Sequence, residues 1–197
     1  MNGVTFSNGT GRHGATRTRS PISAGITSLA AQITSIVRGN APAIDTARMV
    51  ADALGTVLTE SDLLLEDQKT ATADCYCQHV LHADPDGAFS IVSLVWLPGQ
   101  RTCIHDHISW CVVGVYEGAE ESTLYRLVDN GVDEAHLVIS GHALDGEGMT
   151  SYFVPPGDIH KVCNSTDRRV ISIHVYGADV SVLGSSIRRK YDLPVRP

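Results

Sequence analysis

The residues best suited to chemistry fall between Gly99 and Gly118, in the stretch Gly99-Gln-Arg-Thr-Cys-Ile-His105-Asp-His107-Ile-Ser-Trp-Cys111-Val-Val-Gly-Val-Tyr-Glu-Gly118. On a strand, residues two apart point to one face, so His105 and His107 project side by side. Two imidazoles so placed can grip one metal ion, and imidazole suits iron, copper, zinc and nickel alike. A third histidine, His160, follows Pro155-Pro156-Gly157. Three neutral ligands keep adjacent coordination positions open, as ferrous iron needs in order to meet a substrate and dioxygen together. They also leave the ion's full positive charge, which favours an anionic ligand such as a thiolate.

Ser172-Ile-His174-Val-Tyr176 forms a second cluster. On a strand its three polar residues share a face and can hydrogen-bond in a row, hydroxyl to imidazole to phenol. The plain alternative is an outward polar face, with Ile171, Ile173 and Val175 on the core side.

The elements that must position these residues change character along the chain. Ile22, Ile26, Leu29, Ile33 and Ile36 recur at helical steps, so a helix is expected over residues 22 to 37, broken by Asn40-Ala-Pro42. A second helix is expected from Ile44 to about Val57. Thr59-Glu-Ser-Asp62 before three leucines reads as the start of a short third one. From Cys75 onward, seven or eight short apolar or alternating runs are separated by turn clusters such as Asp84-Pro-Asp-Gly87, Asp129-Asn-Gly131 and Asp145-Gly-Glu-Gly148. That rhythm predicts an antiparallel sandwich or barrel of the jelly-roll type, with Asp129-Asn-Gly-Val-Asp133 as a hairpin tip. The expected organisation is a disordered tail over residues 1–20 and one domain over 21–197, whose segment 21–70 is a helical cap on the sheet.

Composition narrows the classes. A net charge of −7 provides no basic field for nucleic acid, and no apolar run reaches membrane-spanning length. The acid-free, Arg-containing start (Arg12, Arg17, Arg19) is read as a tail in preference to a transit peptide. Five cysteines, an odd number, fit a reducing compartment better than a disulfide framework, so a cytoplasmic location is expected. The sequence does not decide between a monomer and a homo-oligomer.

The spacing of Gly99, His105, His107 and Gly118 resembles the first motif of the cupin superfamily, with Cys111 where many cupins carry a glutamate ligand. Pro155-Pro156-Gly157-Asp-Ile-His160-Lys-Val-Cys-Asn164 resembles the second, its leading glycine one residue out of step at Gly148. With Ser-x-His-x-Tyr downstream, the chain is similar to the thiol dioxygenases, the cysteine dioxygenase family, and most of all to its bacterial branch, which includes 3-mercaptopropionate dioxygenases. The resemblance runs from about Tyr76 to Tyr191.

It implies an all-β cupin barrel (double-stranded β-helix) with N-terminal helices. It also implies Fe(II) held by His105, His107 and His160, and an outer triad of Ser172, His174 and Tyr176. The implied reaction is dioxygenation of a small mercapto-carboxylate, 3-mercaptopropionate or L-cysteine, to a sulfinate. Gln78 stands where animal members use an arginine for the substrate carboxylate, and the resemblance offers Arg188 or Arg189 as the substitute. It further allows a Cys111–Tyr176 thioether. The alternatives are a metal-binding sensor or storage cupin, which has no need of the Ser-His-Tyr row, and a cupin dioxygenase for another small substrate.

Overall fold

The structure, a computed structural model, describes Thr5–Phe6 and residues 21–197. The tail expected over residues 1–20 lies outside the described residues except for Thr5–Phe6, a two-residue strand (β1) paired in parallel with Cys77–Gln78.

Two helices come first. Ser23 caps α1 (Ala24–Arg38), its hydroxyl accepting from the Ile26 amide at 3.1 Å, and Ile26, Leu29, Ala30 and Ile33 form its buried stripe. Pro42, whose ring fixes φ and which lacks an N–H, sits at the N-cap of α2 (Ala43–Gly55), which buries Val50, Ala51 and Leu54. The expected third α-helix is absent. Turns occupy that stretch, followed by a 3₁₀ turn at Glu66–Lys69. Leu63 and Leu64 are both buried, and two adjacent inward residues followed by the half-buried Leu65 suit a wrapping turn better than a one-faced helix.

The strands are β2 (Cys77–Ala83), β3 (Ser90–Trp96), β4 (His105–His107), β5 (Cys111–Glu117), β6 (Ala119–Val128), β7 (His136–Gly146), β8 (Thr150–Phe153), β9 (His160–Cys163), β10 (Val170–Tyr176), β11 (Ile187–Lys190) and β12 (Val195–Arg196). They make two six-stranded sheets, ordered β1-β2-β3-β10-β5-β8 and β11-β4-β9-β6-β7-β12. This is the jelly-roll barrel expected. The β6–β7 hairpin turns at Asp129–Asp133 as expected, but β7 runs on to Gly146, further than its apolar stretch suggests. Its second half alternates exposed with half-buried residues, so only one side shows an apolar pattern.

The first sheet is covered on both faces. Ile171, Ile173 and Val175 of β10 meet α1 and α2 in the larger core, while Val170 and Tyr176 join Val92, Leu94, Trp96, Cys111 and Val113 inside the barrel. All seven residues of β10 are buried. The row Ser172, His174, Tyr176 therefore faces the barrel interior, not solvent.

The segment after α2 and α2 itself lie close against Gly114 of β5. A Cβ there would sit 2.7 Å from Leu54 Cδ2 and 2.9 Å from Leu58 Cδ1. Gly114→Val is expected to lower unfolding stability by about 1–3 kcal/mol through overpacking, and Leu54→Ala by about 2–5 kcal/mol through the cavity it leaves. Urea unfolding followed by circular dichroism checks both. A Gly114→Val protein as stable as wild type would mean that the helices do not bear on the sheet there.

Candidate metal centre

Register brings the three histidines together. β4 pairs antiparallel with β9, with His105 directly opposite His160, and His107 lies two residues along on the face of His105. The three side chains offer ligand atoms all within 4.8 Å of one another. Their rings meet edge-on, with centroids 4.9 Å apart for His105–His107, 4.7 Å for His105–His160 and 4.9 Å for His107–His160.

Two of the rings are oriented from behind. His105 Nδ1 donates to the Cys103 carbonyl at 2.9 Å, and His107 Nδ1 donates to Asp158 Oδ2 at 2.9 Å. Each Nε2 is thereby left as a bare lone pair. The same Asp158 oxygen accepts from the His107 amide at 3.1 Å, so one carboxylate fixes both ring and strand. His160 Nδ1 is buried without a hydrogen-bond partner.

Burial, followed by the neighbouring charge of His107, lowers the pKa of His105 to about 4. Burial, His105 and His107 hold His160 well below its usual value. Neutral imidazoles crowded with free lone pairs and few other partners are the donor set a transition-metal ion requires, so the residues fit a metal.

The cavity beside them is lined by Tyr76, Gln78, Leu94, Trp96, Thr102, Val162, His174, Tyr176 and the segment Gly184–Ile187 as well as the three histidines. The polar row is continuous. Trp96 Nε1 donates to Ser172 Oγ at 3.1 Å, Ser172 Oγ meets His174 Nε2 at 2.9 Å, and His174 Nδ1 meets Tyr176 Oη at 3.2 Å. Burial, then the nearby Cys111, pushes the Tyr176 phenol well above its usual pKa. Cys111 is the Cα partner of Tyr176 across β5 and β10, and burial with Glu120 and Asp158 nearby keeps its thiol protonated.

The sequence of residues 16–184 matches the family model described as cysteine dioxygenase type I. The chain belongs to that family. Among solved structures it is similar to a cupin 2 conserved barrel domain protein from Salinispora arenicola CNS-205, at 19% identity over 64% of this chain and 95% of that one, TM-score 0.43. It is also similar to a cupin superfamily protein from Desulfitobacterium hafniense DCB-2, at 13% identity over 61% and 94%, TM-score 0.44. Family membership supports thiol dioxygenase chemistry at this three-histidine site.

The structure brings Gln78 to the cavity but not Arg188 or Arg189. Side chains alternate along β11: Ile187 faces the cavity, and Arg188 turns to the far side of β4. There it forms a fork on Asp106, with Nε 3.3 Å from Oδ1 and Nη2 on Oδ2. Tyr191 Oη donates to the same carboxylate at 2.8 Å. Burial opposes ionisation of Asp106, but Arg188 and Tyr191 together hold its pKa below the usual value. Arg189 lies over the Tyr191 ring at 5.6 Å. No lysine or arginine lines the cavity among the described residues.

Three buried carboxylates around the metal centre were not among the site residues expected from the sequence: Asp106, Asp158 and Glu120. Asp158 was signalled only by its place two residues before His160. Asp158→Ala should lower metal affinity about 10- to 100-fold by freeing the His107 ring, and His105→Ala, His107→Ala or His160→Ala should each lower metal content sharply. Competition with a chelator, read by metal analysis, checks the series. Unchanged affinity in Asp158→Ala would remove its orienting role.

Proposed function

We propose that this chain is a ferrous-iron thiol dioxygenase that adds both atoms of dioxygen to the sulfur of a small mercapto-carboxylate, 3-mercaptopropionate or L-cysteine, giving the sulfinate. The observation that carries the reading is the buried row from Trp96 through Ser172 and His174 to Tyr176, ending in the wall of the three-histidine cavity. A protein that merely stored or sensed a metal would gain nothing from a hydrogen-bonded phenol aimed at the ligand.

Iron held by His105, His107 and His160 would supply the Lewis acidity that ionises the thiol and the redox chemistry that activates dioxygen. The chain's own residues do the rest. Tyr176, steered by His174 and Ser172, hydrogen-bonds the reacting group and fixes its direction. Trp96 and Leu94 exclude water along the same wall.

The substrate's carboxylate meets neutral donors. Gln78 Nε2 is buried without a hydrogen-bond partner, and Tyr76 stands beside it in the cavity wall. Burial, then the Cys103 and Cys75 thiols, pushes the Tyr76 phenol up to about 12, so it stays a donor at neutral pH. Ser185 and Ser186 line the same cavity. A hydrogen bond from a neutral donor to a carboxylate contributes about 1.5–3 kcal/mol, but an arginine fork adds a second parallel bond and a full opposite charge. Selection for a carboxylate is therefore weaker here than an arginine fork would give, and the amine of cysteine is not demanded. Arg188, committed to Asp106, acts on this site through the strand that it anchors.

A thioether between Cys111 and Tyr176 belongs to the same proposal, because the two are cross-strand neighbours on one buried face. Its formation would remove two protons and two electrons, taken up by dioxygen as hydrogen peroxide. Residence in a reducing compartment fits five cysteines that form no disulfide among the described residues, in which no helix is long and apolar enough to cross a membrane.

Sulfinate production and oxygen uptake by the iron-loaded protein, measured with 3-mercaptopropionate, L-cysteine and cysteamine, test the proposal. The expected order places 3-mercaptopropionate at or above L-cysteine in kcat/KM, with cysteamine lower by about 10- to 100-fold, the loss of one hydrogen bond to the carboxylate. Gln78→Ala should raise KM for the acids and leave cysteamine unaffected. Tyr176→Phe should keep its iron and make less sulfinate per dioxygen consumed. Mass spectrometry after turnover should show a Cys111–Tyr176 peptide pair lighter by two hydrogens. Absence of sulfinate from every thiol would sink the reading.

A further inference from the structure

Glu120 has no part in the chemistry described so far, yet it lies inside the barrel. Its side chain is 4% exposed, and its Oε2 is buried with no hydrogen-bond partner. His174 Nε2 lies 3.7 Å from that oxygen, and the carboxylate, adding to the effect of burial, also raises the pKa of the Cys111 thiol and the Tyr176 phenol. β6 delivers it there: Gly118, at φ 84°, turns the chain out of β5, and Glu120 points inward two residues later.

The row it faces has two self-consistent proton arrangements. In one, Ser172 donates to His174 Nε2, and Nδ1–H donates to the oxygen of Tyr176. In the other, Nε2–H donates to Ser172 Oγ, and Tyr176 O–H donates to Nδ1. Ser172 does not decide between them, since its hydroxyl already accepts from Trp96 Nε1 and can still either donate or accept. Tyr176, which Ser186 also hydrogen-bonds, can likewise donate or accept, and the Cys111 thiol 3.9 Å from Nδ1 is a weak partner of either kind. A carboxylate oxygen 3.7 Å from Nε2 is not indifferent. It repels a bare lone pair there and attracts an N–H, and in a dry interior that difference is weakly screened.

We propose that Glu120 is a positioning residue that holds the proton of His174 on Nε2, so that Nδ1 accepts from Tyr176 and the phenol oxygen presents its lone pairs to the cavity. Tyr176 then meets an incoming thiol as an acceptor for its S–H, before the sulfur is ionised. The consequence for thiol oxidation rests on the function proposed above. The proton placement does not.

The experiment uses nitrogen-15 NMR of histidine-labelled protein, metal-free and again loaded with zinc, to read which His174 nitrogen carries hydrogen. Wild type should show a pyrrole-type Nε2 and a pyridine-type Nδ1. Glu120→Gln, of equal size but uncharged, should move the two resonances toward each other or exchange them, and Glu120→Asp should keep the wild-type order. Ser172→Ala provides a second route should the Gln variant fail to fold: Nε2–H should persist without the seryl oxygen if Glu120 sets it. A proton on Nδ1 in wild type, an unchanged pattern in Glu120→Gln, or a switch in Ser172→Ala would each overturn the proposal. In the iron-loaded enzyme, Glu120→Gln should lower kcat and the sulfinate formed per dioxygen several-fold, with metal content and KM unchanged. Failure of wild type to oxidise any thiol would instead defeat the functional reading while leaving the NMR result standing.

Discussion

The site depends on one constraint, the burial of β10 on both faces. Its odd-numbered residues from Ile171 to Val175 are covered by the two helices, so the strand cannot turn its other side to water without opening the larger core. Ser172, His174 and Tyr176 are thus forced into the barrel, where an unpaired polar group costs about 1–3 kcal/mol. With Trp96 at one end, they satisfy one another. The helical cap, remote from the chemistry, therefore keeps the polar row dry and rigid.

The charges around the metal centre follow a second regularity. Each of these carboxylates is set against particular side chains: Asp158 against His107, Glu120 against His174, and Asp106 against Arg188 and Tyr191 on the far side of the metal strand. None lines the cavity, whose polar surface is made of imidazole, phenol, hydroxyl and amide. The carboxylates thus shape the site through other side chains, and the full charge of a metal ion would face the ligand without a competing anion in the wall.

Much of this was legible in the sequence because it rests on local rules. A two-residue period placed His105 beside His107, Pro-Pro-Gly marked the turn before His160, and Ser-x-His-x-Tyr declared its shared face. Which way that face pointed was not legible: an alternating strand reads alike whether its polar side meets water or a second sheet. Arg188 and Arg189 failed as cavity residues for a related reason. Charge identifies a carboxylate partner by type, but strand parity decides which side of β4 each residue occupies, and a register shift between Ile187 and Arg189 obscures that parity. Asp106, Asp158 and Glu120 look like surface acids in sequence, since their burial comes from strands up to 82 residues away. The leucines at 63 and 64 imitate a helix because burial in a turn and burial on a helix face leave the same apolar mark.

β11 links the two sides of the metal strand. It pairs with β4 along its length, placing Ile187 opposite His107 and Lys190 opposite His105, and the Arg188–Asp106 fork fastens it from the outside. The residues leading into it, Gly184 to Ile187, form part of the cavity wall. Any displacement of this strand would move the wall that receives the ligand together with the backbone that carries two of the three histidines. Because the fork sits on the residue between those histidines, the shape of the cavity and the spacing of the ligand atoms are set by the same strand pair. The Arg188 that the family resemblance offers to the substrate thus stands on the outer side of the metal strand, fastened to its backbone through Asp106.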